Sequence, residues 1–152
     1  MKKIIVSILL VNIIIVLTGC DLISEIFKTN EINASEIFDQ EESGYYVYFY
    51  KDDCQYCDMV SEVIAHLERD GVSIYKVNLS KNKNKLIGRA YEGVDAEGSN
   101  NKYKVTGVST YEELYISIAP TIILIEYNND AQEKQAKYVA GGTKEILDIF
   151  SN

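Results

Sequence analysis

Two of the three cysteines stand close together, in Cys54-Gln55-Tyr56-Cys57. The reactive form of cysteine is the thiolate. A helix N-terminus carries unpaired N–H groups and the positive end of the helix dipole, and both favour that anion. If Cys54 opens a helix, two intervening residues bring Cys57 within disulfide reach in the first turn. Cys54 then attacks a substrate disulfide, and Cys57 resolves the mixed disulfide. Other uses of the pair fit less well. A zinc site needs four ligands, and only Cys20 and the single histidine, His66, remain as cysteine or histidine donors. A purely structural disulfide closing so small a loop stabilises little. No metal and no cofactor is therefore expected. Asp52, Asp53 and Asp58 flank the pair with like charge, which opposes the thiolate. The helix end pulls the other way, so Cys54 is expected moderately below an ordinary thiol. His66, between Ala65 and Leu67 in mid-helix, reads as a surface or boundary residue and not as a base.

The elements that must position this pair are legible around it. Tyr45-Tyr46-Val47-Tyr48-Phe49-Tyr50 has no polar alternation and suits a strand covered on both faces. Tyr46, Tyr48 and Tyr50 would share one face as packing residues. After the cysteines the period changes: Met59, Val60, Val63, Ile64 and Leu67 recur at three and four residues, one face of a helix ended by Gly71. Residues 72–79 read as a second strand, parallel to the first across the helix. Upstream, Ser35 is expected to cap a short helix running to Glu41. Residues 83–91 suggest a helix, 93–102 a loop and 111–115 a turn. Residues 121–127 form an apolar strand, Asn128-Asn129-Asp130 a turn, and 134–140 an antiparallel strand. Gly141-Gly142 then breaks the chain, and Thr143 is expected to cap a final helix. The order βαβ then ββα predicts an α/β domain with helices on both faces of a mixed sheet.

The segment from Val47 to Val60, centred on the cysteine pair, resembles the active-site strand and helix of the thioredoxin family. Pro120 is the only proline and opens an apolar strand in Ala119-Pro120-Thr121, one of the few places a strand accepts it. The family carries a cis-proline there, opposite the cysteines. Gly141-Gly142 before the last helix also matches. The resemblance covers roughly residues 32–152. It implies a thioredoxin-like fold with an insertion before the cis-proline strand. It also implies catalytic roles for Cys54 and Cys57, and a substrate groove formed by Gln55, Tyr56, Ala119 and Pro120. Three positions depart from the family pattern. Tyr48 stands where a buried aspartate often lies, and Asp53 stands where tryptophan is usual. The stretch of about 83–114 is long, and reads equally as a spacer or a partner surface. Tyr56, directly before the second cysteine, is the residue that disulfide isomerases and some reductases carry there, whereas strong oxidases often have histidine.

The N-terminus reads as a processing signal. Lys2 and Lys3 precede an apolar stretch from Ile4 to Leu17, too short for the roughly 20 residues that span a bilayer. The run Leu17-Thr18-Gly19-Cys20 resembles the lipobox of bacterial lipoproteins. That implies a signal peptide over 1–19, a lipid on Cys20, a tether over 20–31 and a domain over 32–152. It also implies residence on the extracytoplasmic face of the membrane, where disulfides persist. Of the 15 basic residues, Lys2 and Lys3 fall in the leader, so against 23 acidic residues the remainder has a net charge near −10. Such a chain should avoid nucleic acid. The expected function is reduction or isomerisation of disulfides in exported proteins or peptides, with electrons from a membrane or extracellular thiol donor. The chain is also similar, more loosely, to thioredoxin-like bacteriocin transport accessory proteins. The alternative is therefore an accessory binding module whose cysteines turn over little.

Overall fold

The computed structural model describes residues 30–84 and 105–151. The expected leader, Cys20, most of the tether, the 93–102 loop and nearly all of the 83–91 helix lie outside the described residues. The elements in chain order are β1 (Gly44–Tyr50), α1 (Gln55–Arg69), β2 (Ile74–Asn78), β3 (Thr121–Asn128), β4 (Glu133–Gly141) and α2 (Gly142–Phe150). Short 3-10 turns occupy Ala34–Glu36 and Asn82–Asn84. The strands form one mixed sheet in the order β2-β1-β3-β4. β1 runs parallel to β2, with Tyr46 beside Ile74 and Phe49 beside Val77. β3 is antiparallel to both β1 and β4.

Alternation along β1 divides the core. On one face Tyr48 joins Ile74, Ile122 and Ala140, covered by Val60 and Ile64 of α1 and Ile146 of α2. On the other, Tyr45, Val47 and Phe49 meet Val77, Ile123 and Ile125, covered by Ala34, Ile37, Leu114 and Ile116. Among the described residues, both α-helices therefore share one face, instead of taking one each. The opposite face is closed by 3-10 and irregular chain. Full burial of each such aliphatic side chain contributes roughly 1.5–3 kcal/mol. Val60 and Ile64 supply the fully buried seat of α1, with Val63 and Leu67 half-buried beside them. Met59, expected on that stripe, lies outside it and is 56% exposed.

Two expected caps also moved. Asn33, not Ser35, precedes the first turn, and its amide donates to the Glu36 carboxylate at 2.6 Å. Instead of a helix reaching Glu41, only one 3-10 turn forms. Gly141, not Thr143, is the N-cap of the last helix. Gly71 does end α1, at φ 85°, a conformation that glycine adopts without a Cβ penalty.

Each sheet edge is engaged at one residue by irregular chain, which interrupts the template an open strand offers for association. At β2, the Lys76 amide donates to Asn30 O at 2.7 Å and the Ile32 amide donates to Lys76 O at 2.9 Å. Glu31 thus lies parallel to Lys76, and the bonded chain reaches back to Asn30. At β4, the Gly107 amide donates to Ala136 O and the Ala136 amide to Val108 O, each at 2.8 Å. No helix among the described residues is long and apolar enough to cross a membrane.

Candidate active site

β1 ends at Tyr50, and four residues later Cys54 caps α1 in an extended conformation. The intervening turn depends on Asp53, which holds φ 52°. Aspartate is among the few non-glycine residues that visit this left-handed region readily. Asp52 is fastened from the side. Its amide donates to Ser80 Oγ at 2.9 Å, and one carboxylate oxygen accepts from Asn78 Nδ2 at 2.8 Å. Asn78 Oδ1 in turn accepts from the Ser80 amide at 2.9 Å. Behind it, fully buried Asn84 donates to Asn78 O at 2.8 Å and accepts from the Ala34 amide at 2.9 Å. A polar chain therefore runs from the N-terminal turn to the active-site loop. Sequence reasoning missed Asn78, Ser80 and Asn84, because short polar residues at a strand end carry no periodic signal.

Cys54 and Cys57 form a disulfide, with Cα atoms 5.2 Å apart. The Cys57 amide donates to Cys54 Sγ at 3.2 Å and to Cys54 O at 2.9 Å. The helix start thus directs an N–H at the sulfur, which stabilises negative charge there when the bond opens. The two sulfurs are not equivalent. Cys54 is half-buried and flanked by exposed residues, whereas Cys57 is only 5% exposed. A visiting thiol or disulfide therefore meets Cys54 first.

The peptide bond between Ala119 and Pro120 is cis, and Cys54 Sγ lies 4.0 Å from Ala119 O. The first turn of α2 holds both halves of this groove. The Gly142 amide, at φ 76°, donates to Pro120 O at 2.8 Å. Next to it Thr143 Oγ1 donates to Tyr56 O at 3.1 Å. Thr143 thus serves the groove and not the helix cap. The structure brings together Cys54, Cys57, Tyr56, Ala119 and Pro120. Gln55 lies exposed beside them at the start of α1. His66 is exposed on α1 with Nδ1 3.0 Å from an Asp70 oxygen.

A cleft of about 370 Å³ opens beside Cys57, lined in part by Tyr48, Asp58, Ser61 and Lys76. Tyr48 is 5% exposed, and its hydroxyl donates to Cys57 O at 3.4 Å. Burial holds its phenol protonated well above the ordinary tyrosine range, and the Asp58 carboxylate adds to the effect. A neutral hydroxyl therefore fills the place of the buried carboxylate that thioredoxins often carry. Its ring stacks on Tyr50 at 5.9 Å. Among the described residues, no cluster of histidine, cysteine and acidic side chains is arranged to hold a metal ion.

No family model matches the chain, and no curated protein matches it. Among solved structures, the crystal structure of Chlamydomonas reinhardtii thioredoxin f2 is similar at 22% identity and a TM-score of 0.43, covering 78% of this chain and 88% of that one. A β2-β1-β3-β4 mixed sheet, a cysteine pair opening the helix after β1 and a cis-proline facing it across the groove give this chain a thioredoxin-like fold.

Proposed function

We propose that the Cys54–Cys57 pair turns over as a thiol–disulfide oxidoreductase. The observation that carries this is the asymmetry of the pair: an approachable sulfur at a helix start, 4.0 Å from Ala119 O, with its partner sulfur sheltered behind it. In the reducing direction the Cys54 thiolate attacks a client disulfide, and the displaced client sulfur leaves and takes a proton. The Cys57 thiolate then attacks Cys54, releases the second client thiol and restores the Cys54–Cys57 bond. Two electrons pass to the client, and an external thiol must return them. Gln55, Tyr56, Ala119 and Pro120 line the path of the client chain. We further propose that the protein reduces or isomerises disulfides of exported proteins while held by lipid at Cys20 on the outer face of a bacterial membrane. The leader pattern and the Leu17-Thr18-Gly19-Cys20 run support this placement.

Reduction of insulin by dithiothreitol tests the activity. The protein is expected to accelerate it, and Cys54→Ser to abolish the acceleration. Cys57→Ala is expected to accumulate a covalent client adduct, since the resolving thiol is gone. If the wild type is inactive and Cys57→Ala traps nothing, the pair is idle and the chain is an accessory module. The potential of the couple then fixes direction, near about −270 mV for a thioredoxin-like reductant and about −120 mV for an oxidant. For the anchor, mass spectrometry of the membrane fraction should find a diacylglyceryl addition on Cys20, and Cys20→Ala should release the protein.

A further inference from the structure

Around the reactive sulfur the described surface combines two features. Tyr56 and Met59 are 65% and 56% exposed. They lie three residues apart on α1, so they are neighbours on the helix surface. Single exposed apolar residues are ordinary. Two large ones side by side, Tyr56 directly before Cys57 in the chain, form an apolar ledge on the exposed side of α1. The second feature is charge. Asp52, Asp53 and Asp58 are all exposed and line the mouth of the cleft beside Cys57. Against them stands exposed Lys51, while Lys76 in the same cleft is 2.8 Å from the Glu68 carboxylate and is neutralised by it. The Asn78 amide that holds Asp52 is neutral and brings no compensating charge. The mouth therefore carries a local negative excess, on a chain whose formal net charge is −8.

We infer that this surface selects client segments whose cysteine is flanked by basic residues on one side and an apolar residue on the other. The inference rests on the exchange reading above and names its substrate class. Within a Debye length of about 8–10 Å the carboxylates attract a cationic segment and repel an acidic one. Basic flanks also raise the thiolate fraction of the client's own cysteine, and it is the client thiolate that attacks Cys54 Sγ when the protein is oxidised. In that step the client sulfur bonds to Cys54 and the Cys54–Cys57 bond breaks. Cys57 leaves as a thiolate and takes up a proton. The apolar client side chain lies on the ledge of Tyr56 and Met59.

The test uses the full chain and three peptides, each with one free cysteine, that differ only in flanking lysine, serine or glutamate. Rates of reaction of the peptide thiols with the oxidised, Cys54–Cys57 bonded protein are measured at low and high salt. The lysine peptide is expected to react about tenfold faster than the glutamate peptide at low salt, with serine between. The three should converge near 0.5 M salt. The double variant Asp53→Asn with Asp58→Asn should shrink the ratio. Tyr56→Ala with Met59→Ala should slow peptides bearing leucine beside the cysteine more than those bearing serine. Equal rates for all three peptides at low salt, or a faster glutamate peptide, would overturn the inference and leave the exchange reading standing. Failure of every peptide and of insulin to exchange would overturn both.

Discussion

Cys54 and Cys57 were legible because their chemistry is carried by residue type and spacing alone. What surrounds them was less so. Asp53 shows no sign in the sequence that its backbone turns to φ 52°, since a dihedral angle is set by the turn that must join β1 to α1. That conformation gives a direct expectation. A β-branched residue resists the left-handed region, at a cost of about 1–2 kcal/mol. Asp53→Val should therefore lower unfolding free energy in urea by about that amount, whereas Asp53→Gly should not. Equal stability of the two variants would mean that the turn relaxes freely. Met59 is the opposite case. Its spacing fits the apolar stripe of α1, yet it is exposed. Periodicity reports which residues share a face, not how far the neighbouring element extends to cover it.

The strands were read correctly because runs such as Tyr45 to Tyr50 and Thr121 to Tyr127 leave few alternatives to a doubly covered sheet. Helix starts were read less well. Asn33-Ala34-Ser35-Glu36 contains a cap followed three residues later by glutamate, the pattern of a capping box, and choosing Ser35 overlooked it. Thr143 is a plausible cap by type, but Gly141 and Gly142 already start the helix, which frees the threonine hydroxyl for Tyr56 O. The link least visible beforehand is Asn84, whose amide group ties the Ala34 amide to the end of β2. Leaving a buried donor without a partner costs about 1–3 kcal/mol. Asn84→Ala should lower stability by that range in chemical denaturation. If the loss is below about 0.5 kcal/mol, the Ala34 amide has found another acceptor and the tie is dispensable.

The succession of elements along the described chain matches the expected βαβ then ββα, but the coverage of each face does not. Both α-helices of the described residues lie on one side, and irregular chain around Leu114 and Ile116 closes the other. Irregular chain has no period to read. The richness in tyrosine has a global effect as well. Burial raises the phenol affinity for protons of Tyr45, Tyr48 and Tyr138 in the folded state. The unfolded chain loses these protons near pH 10. Their stabilising contribution is thus complete below about pH 10 and disappears as pH climbs beyond it toward the folded values. Urea midpoints should stay level from pH 7 to 9 on this account and fall above about pH 10; a level curve to pH 11 would contradict it. The short parallel bridge of Glu31 with Lys76 has a last consequence. Asn30 to Ile32 runs in the same direction as β2 and β1 and lies beside Lys76, itself level with Tyr48. The described chain therefore enters the fold heading toward the end of β1, the same end at which Cys54 opens α1, so a probe fixed at Asn30 reports on the reactive end of the sheet.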